Sequence, residues 1–86
     1  FLSVAGIHEG SLYNQNMLLV QAEKTMMRQT QQVVLLADSS KFGQQALARL
    51  CDLRDIHTVV SDAGLDASHQ DQVRSVGCQL LLAESA

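Results

Sequence analysis

The chain has 86 residues, 47% of them hydrophobic and 3% aromatic, with Lys and Arg at 6 against Asp and Glu at 9 for a net charge of -3. Apolar residues suffice for a core, Pro is absent and Gly numbers 5, which excludes disordered, collagen-like and low-complexity classes. No apolar run nears the roughly 20 residues of a membrane span, and the few basic residues are scattered, so this piece offers no surface for nucleic-acid phosphates.

Phe1 to Ile7 is an apolar run and predicts a strand; because the chain opens inside such a run and not on Met, it reads as a fragment of a longer protein. A helix is expected over Asn14 to Gln31, where Leu18, Leu19, Ala22, Met26 and Met27 recur at spacings of three and four and Val20 widens the stripe. Glu23 and Lys24 sit beside that stripe. Val33 to Ala37 has no polar alternation and predicts a strand covered on both faces, as in the middle of a parallel sheet.

Gln44 to Leu53 is ambiguous: Ala46, Leu47 and Leu50 favour a short helix, the preferred reading, whereas Leu47, Arg49, Cys51 and Leu53 alternate like a strand. Ile56 to Ser61 and Cys78 to Ala83 predict two further strands. Between them a helix is expected from Ser68, which has capping-box spacing to Asp71, through Val73 and Val76 to Gly77. Strands separated by crossovers of a dozen or so residues make the fold class α/β, a Rossmann-like, mostly parallel sheet. Cys51 and Cys78 have neither CxxC nor zinc spacing and are expected to be reduced and buried, with the cytoplasm as the compartment.

Ligands of open parallel sheets bind beyond the carboxyl ends of the strands. That rule selects Ala5 to Gly10, Asp38 to Gly43, Ser61 to Gly64 and, more weakly, Glu84. The polar cluster Asp38, Ser39, Ser40 and Lys41 suits a polyol phosphate, with Lys41 as a point charge for the phosphate; capping and turn closure explain the same residues without a ligand. Dinucleotide, P-loop and hydrolase-elbow motifs are absent, and His8, His57 and His69 lack metal-ligand spacing. No cofactor or metal is expected. Met26 and Met27 read as core residues.

Val33-Val-Leu-Leu-Ala-Asp-Ser-Ser-Lys-Phe-Gly43 resembles the signature of the effector-sensing half of DeoR-family sugar-catabolism repressors. Asp55 to Asp62 is similar to that family's strand ending in a Thr-Asp or Ser-Asp pair, and Phe1 to Ile7 with Gly10 to its preceding strand and turn. Ser3 stands where the family usually has Gly, and Ser11, Leu12 and Tyr13 follow Gly10 where many members carry a Thr-containing turn. The resemblance implies an oligomeric, cytoplasmic regulator of carbohydrate metabolism that binds DNA through an N-terminal winged helix-turn-helix outside this chain. It also implies a phosphorylated-sugar effector and a fold similar to ribose-5-phosphate isomerase and glucosamine-6-phosphate deaminase, whose first half is also outside this chain.

On this reading Gly6, His8, Glu23, Lys24, Asp38, Ser40 and Lys41 line the effector site, with Gly6 allowing close backbone approach and Asp38 and Ser40 orienting hydroxyls or holding the Lys41 loop. The isomerase carries a comparable Glu-Lys pair and Asp-x-Ser-Lys element. Its proton-transferring acids, however, correspond to Ala5 and His8 here, and Ala5 cannot move a proton, so a binder is expected and not an enzyme. A sugar-phosphate isomerase or deaminase fragment is the alternative, and a purely structural oligomerisation module a third reading.

Overall fold

The computed structural model describes residues 1–83, so Glu84 lies outside the described residues. A parallel sheet has the strand order β1 (Leu2–Ser3), β4 (Val34–Leu36), β6 (Thr58–Asp62), β7 (Gln79–Ala83), and an antiparallel sheet has the order β2 (Gly6–His8), β3 (Ser11–Asn14), β5 (Ala48–Asp52). The described residues also form two α-helices, α1 (Met17–Gln29) and α2 (Ala67–Ser75), and two single 3₁₀ turns, Ser39–Lys41 and Leu53–Asp55. The architecture is mixed α/β with a mostly parallel sheet, as expected from the alternation of short apolar and longer amphipathic stretches.

The second sheet is a departure. Phe1 to Ile7 is not one strand: it breaks at Val4 and Ala5, and its two halves join different sheets. Gln44 to Leu53 yields the strand β5, not the preferred helix. β5 pairs with β3 through Ser11↔Asp52, Leu12↔Cys51, Tyr13↔Arg49 and Asn14↔Ala48, and the register shift between Leu12 and Tyr13 accommodates Leu50 as the extra residue. That bulge lets Ala48, Leu50 and Cys51 all bury while Leu47 stays in solvent.

The parallel strands step in one direction across the sheet, and right-handed connections stepping in one direction all lie on one face. Burial follows that rule. The register row Leu2, Leu35, Val59 is closed, whereas the opposite row has Leu36 at 43% and Leu81 at 47% exposure. Coverage of Val33 to Ala37 on both faces is thus corrected to one face among the described residues.

Asn16 caps α1, its side chain accepting from Leu19 N at 2.7 Å. The helix buries Val20 and Glu23, with Met27 packed partly against the core, and its main contacts are with β5. Leu18, Leu19, Ala22 and Met26, expected to face inward, are exposed. At 100° per residue the apolar stripe centres beside the buried edge, so Met26 is not a core residue. α2 starts earlier than expected: Asp66, not Ser68, is the cap, accepting from His69 N at 3.0 Å, and Ser68 donates to the same carboxylate. Gly77 ends the helix at φ 89°. Cys51 and Cys78 are both buried free thiols.

Candidate functional site

The chain leaves β4 through Ala37 into a single 3₁₀ turn, Ser39–Lys41. Asp38 caps it: its carboxylate accepts from Ser40 N at 3.0 Å and from the Ser40 hydroxyl. Asp38 and Ser40 therefore hold the turn that presents Lys41. From β6, Asp62 accepts from Ser39 N and Gly64 N, both at 2.8 Å, tying the loops after β4 and β6 together. Those amides hold the Asp62 carboxyl below the usual carboxylate range, the Ser39 backbone N–H first. Gly43 N donates to Ile7 O at 2.6 Å, which pins the far end of the loop to β2.

Beyond the carboxyl end of β1 lies a cavity of about 300 Å³ walled by Ser3, Val4, Ala5, Asn14, Gln15, Asn16, Leu19, Glu23 and Lys41. The wall combines an ammonium, the amino-terminal end of α1 and side-chain amides, a set that attracts an anion with polar substituents. Glu23 lies in this wall at 5% exposure and accepts a hydrogen bond from the Asn14 side-chain amide. Burial pushes its carboxyl above the ordinary range, and the Asn14 bond pulls it part of the way back. Asn14 is itself fixed, accepting from Ala5 N at 2.9 Å and donating to Ser3 O at 3.4 Å.

Of the seven residues selected from the sequence, the cavity unites Glu23 and Lys41. Asp38 and Ser40 act behind Lys41, and Asp38 fronts a second hollow, shared with Ser61 and Asp62. Gly6 is used for packing: a Cβ there would come within 2.6 Å of the Gln44 carbonyl carbon. His8 is half-buried on β2, opposite Ser11 and outside the cavity wall. Lys24 points to another hollow with Met27, Arg28 and Cys51, whose thiol is pushed up to about 12, chiefly by burial.

Sequence reasoning missed Asn14, which looked like the start of a helix. The available signal was the alternation of Leu12 and Asn14, both buried on β3.

A family model described as the DeoR C terminal sensor domain matches residues 1–63. The chain belongs to this family. Among its relatives, the HTH-type transcriptional regulator YulB of Bacillus subtilis is 34% identical over 68 residues, 77% of this chain and 26% of that protein. An sgc region transcriptional regulator of Escherichia coli is 31% identical over 77 residues, 90% of this chain and 30% of its own length. The L-fucose operon activator of Haemophilus influenzae is 38% identical over 64 residues, 73% of this chain and 26% of the activator. The chain thus spans less than a third of the length of these relatives. The DeoR sensor match includes the whole cavity wall, Ser3 to Lys41, and the Asp62 tie behind it.

Proposed function

We propose that this chain is the effector-reading part of a DeoR-type transcriptional repressor of carbohydrate metabolism, and that the effector is a phosphorylated sugar bound in the cavity beyond β1. The observation that carries this reading is the meeting of Lys41 and Glu23 in one cavity at the carboxyl ends of parallel strands. Lys41 supplies the charge for the phosphate and the amino-terminal turn of α1 adds polar donors. The protein is not an enzyme on this reading. Ala5, where the isomerase has an acid, contributes its backbone N–H to Asn14 and has no side chain that moves a proton.

The rest of the assembly is inferred with the same reading. A winged helix-turn-helix outside this chain contacts the operator, in keeping with YulB, whose name carries the helix-turn-helix motif. The regulator is a cytoplasmic homo-oligomer, and the exposed Leu18, Leu19, Ala22 and Met26 of α1 supply an apolar surface suited to association. Effector binding shifts the population of an operator-competent conformer, which demands unequal affinity for two states.

A thermal-shift panel of triose, pentose and hexose phosphates on the full-length regulator tests the proposal, followed by operator release with the best binder. One member should raise the melting temperature and reduce operator affinity, and Lys41→Ala should abolish both effects. No stabilising member, or stabilisation unchanged by Lys41→Ala, removes the site; turnover of the bound sugar phosphate removes the non-catalytic reading.

A further inference from the structure

Asn14 spends its hydrogen-bonding groups inside the protein: its carbonyl oxygen takes Ala5 N, and its amide nitrogen gives to Ser3 O and to Glu23 Oε1. It therefore clamps the Glu23 carboxyl and has little left for a ligand. The second carboxylate oxygen, Glu23 Oε2, receives no hydrogen bond from the described residues, although Glu23 is 5% exposed and lies in the cavity wall. That oxygen is not sealed off, since Ser61 Oγ is the one fully buried side-chain polar atom without a partner among the described residues, so Glu23 Oε2 stands open to a hydrogen-bond donor from the cavity. Lys41 shares the cavity yet forms no ion pair with Glu23 among the described residues, so the cation and the acceptor stay separately open to a ligand.

We infer that Glu23, positioned by Asn14, makes this cavity select hydroxyl-bearing phosphates over phosphate alone, by accepting a hydrogen bond from the polyol part of the ligand. The inference rests on the reading that the cavity holds a sugar phosphate, and it names the specificity-determining group within it. Inorganic phosphate gains from Lys41 but meets an acceptor it satisfies poorly and a like charge. A sugar phosphate reaches the same cation and brings a neutral donor to Glu23.

Titration calorimetry on the full chain separates the two ends of the site, using the best sugar phosphate of the panel, its single-deoxy analogues and inorganic phosphate. Glu23→Gln, which keeps shape and an acceptor for Asn14, should weaken the sugar phosphate by about tenfold or more while leaving inorganic phosphate unchanged or tighter. Lys41→Ala should weaken both. Asn14→Ala should lower the sugar-to-phosphate selectivity without weakening inorganic phosphate. With the native chain, removal of one particular hydroxyl should cost a similar factor, a measurement that does not depend on any variant folding. Equal weakening of both ligands by Glu23→Gln, or a deoxy series without a sensitive position, overturns the role of Glu23 and leaves the pocket standing. Failure of every sugar phosphate to bind overturns the pocket and this inference together.

Discussion

A methyl group at Gly6 would collide with the Gln44 carbonyl, in the backbone that follows the Lys41 loop. Gly6→Ala should therefore cost about 1–3 kcal/mol or more by overpacking, read as a lower midpoint in urea at constant slope; an unchanged midpoint would contradict the packing role. Asp62 offers a test of a different kind. Its carboxyl is held low by the Ser39 and Gly64 amides, so its contribution is fully present above the unfolded carboxylate pKa and is lost as pH falls through the depressed folded value. Asp62→Asn should destabilise at neutral pH, and the gap between the two proteins should close in acid; a gap constant with pH would show that charge is not involved. At this scale the sequence singled out Lys41, which follows a strand end, and Glu23, through the resemblance of its Glu-Lys pair to that of the isomerase, and the fold places both in one cavity wall. Asn14 was not legible, because its value comes from Ala5, Ser3 and Glu23, which meet only in the fold.

The two helices show how far local signals reach. Both were foreseen from periodicity and Gly77, yet the face α1 buries was set by what lies beneath it: Val20, Glu23 and Met27 meet the core, while Leu18 and Met26 do not. Asn16 closes the first turn of α1 beside the cavity, so Asn16→Ala should lower stability by about 1 kcal/mol in thermal melts. No change in melting would mean that packing alone sets that terminus. β5 marks the opposite limit. Its residues fit a helical face or a strand equally well until β3 provides the pairing edge, and the bulge that buries Leu50 beside Cys51 has no counterpart in a single-strand pattern.

At the largest scale, the parallel sheet is closed on one side and exposed on the other among the described residues. Leu36 and Leu81 flank Val60 in one cross-strand row, and α1 adds Leu18 and Met26 as further exposed apolar groups. An exposed cross-strand apolar row of this kind favours association and dye binding. The isolated 86-residue chain should bind an apolar dye and sediment as oligomers or aggregates, and joint Leu36→Lys and Leu81→Lys substitution should reduce both signals. A monodisperse, dye-free native chain would show that the row is less accessible than its exposure implies. The same layout explains the cavity: the break at Val4 and Ala5 sends the chain from one sheet to the other, and Asn14 returns to that break from β3.

By itself the sequence determined the α/β class, the parallel strands after the first, both helices and the family to which the chain belongs. Each of these is written in short-range periodicity or in the contiguous run from Val33 to Gly43. Tertiary structure alone decided the split of the first strand, the antiparallel sheet, the exposed sheet face and the pairing of Asn14 with Glu23. Those features depend on residues distant in sequence sharing hydrogen bonds and a buried surface, and a buried carboxylate beside a fixed amide is a property of their meeting, not of either segment.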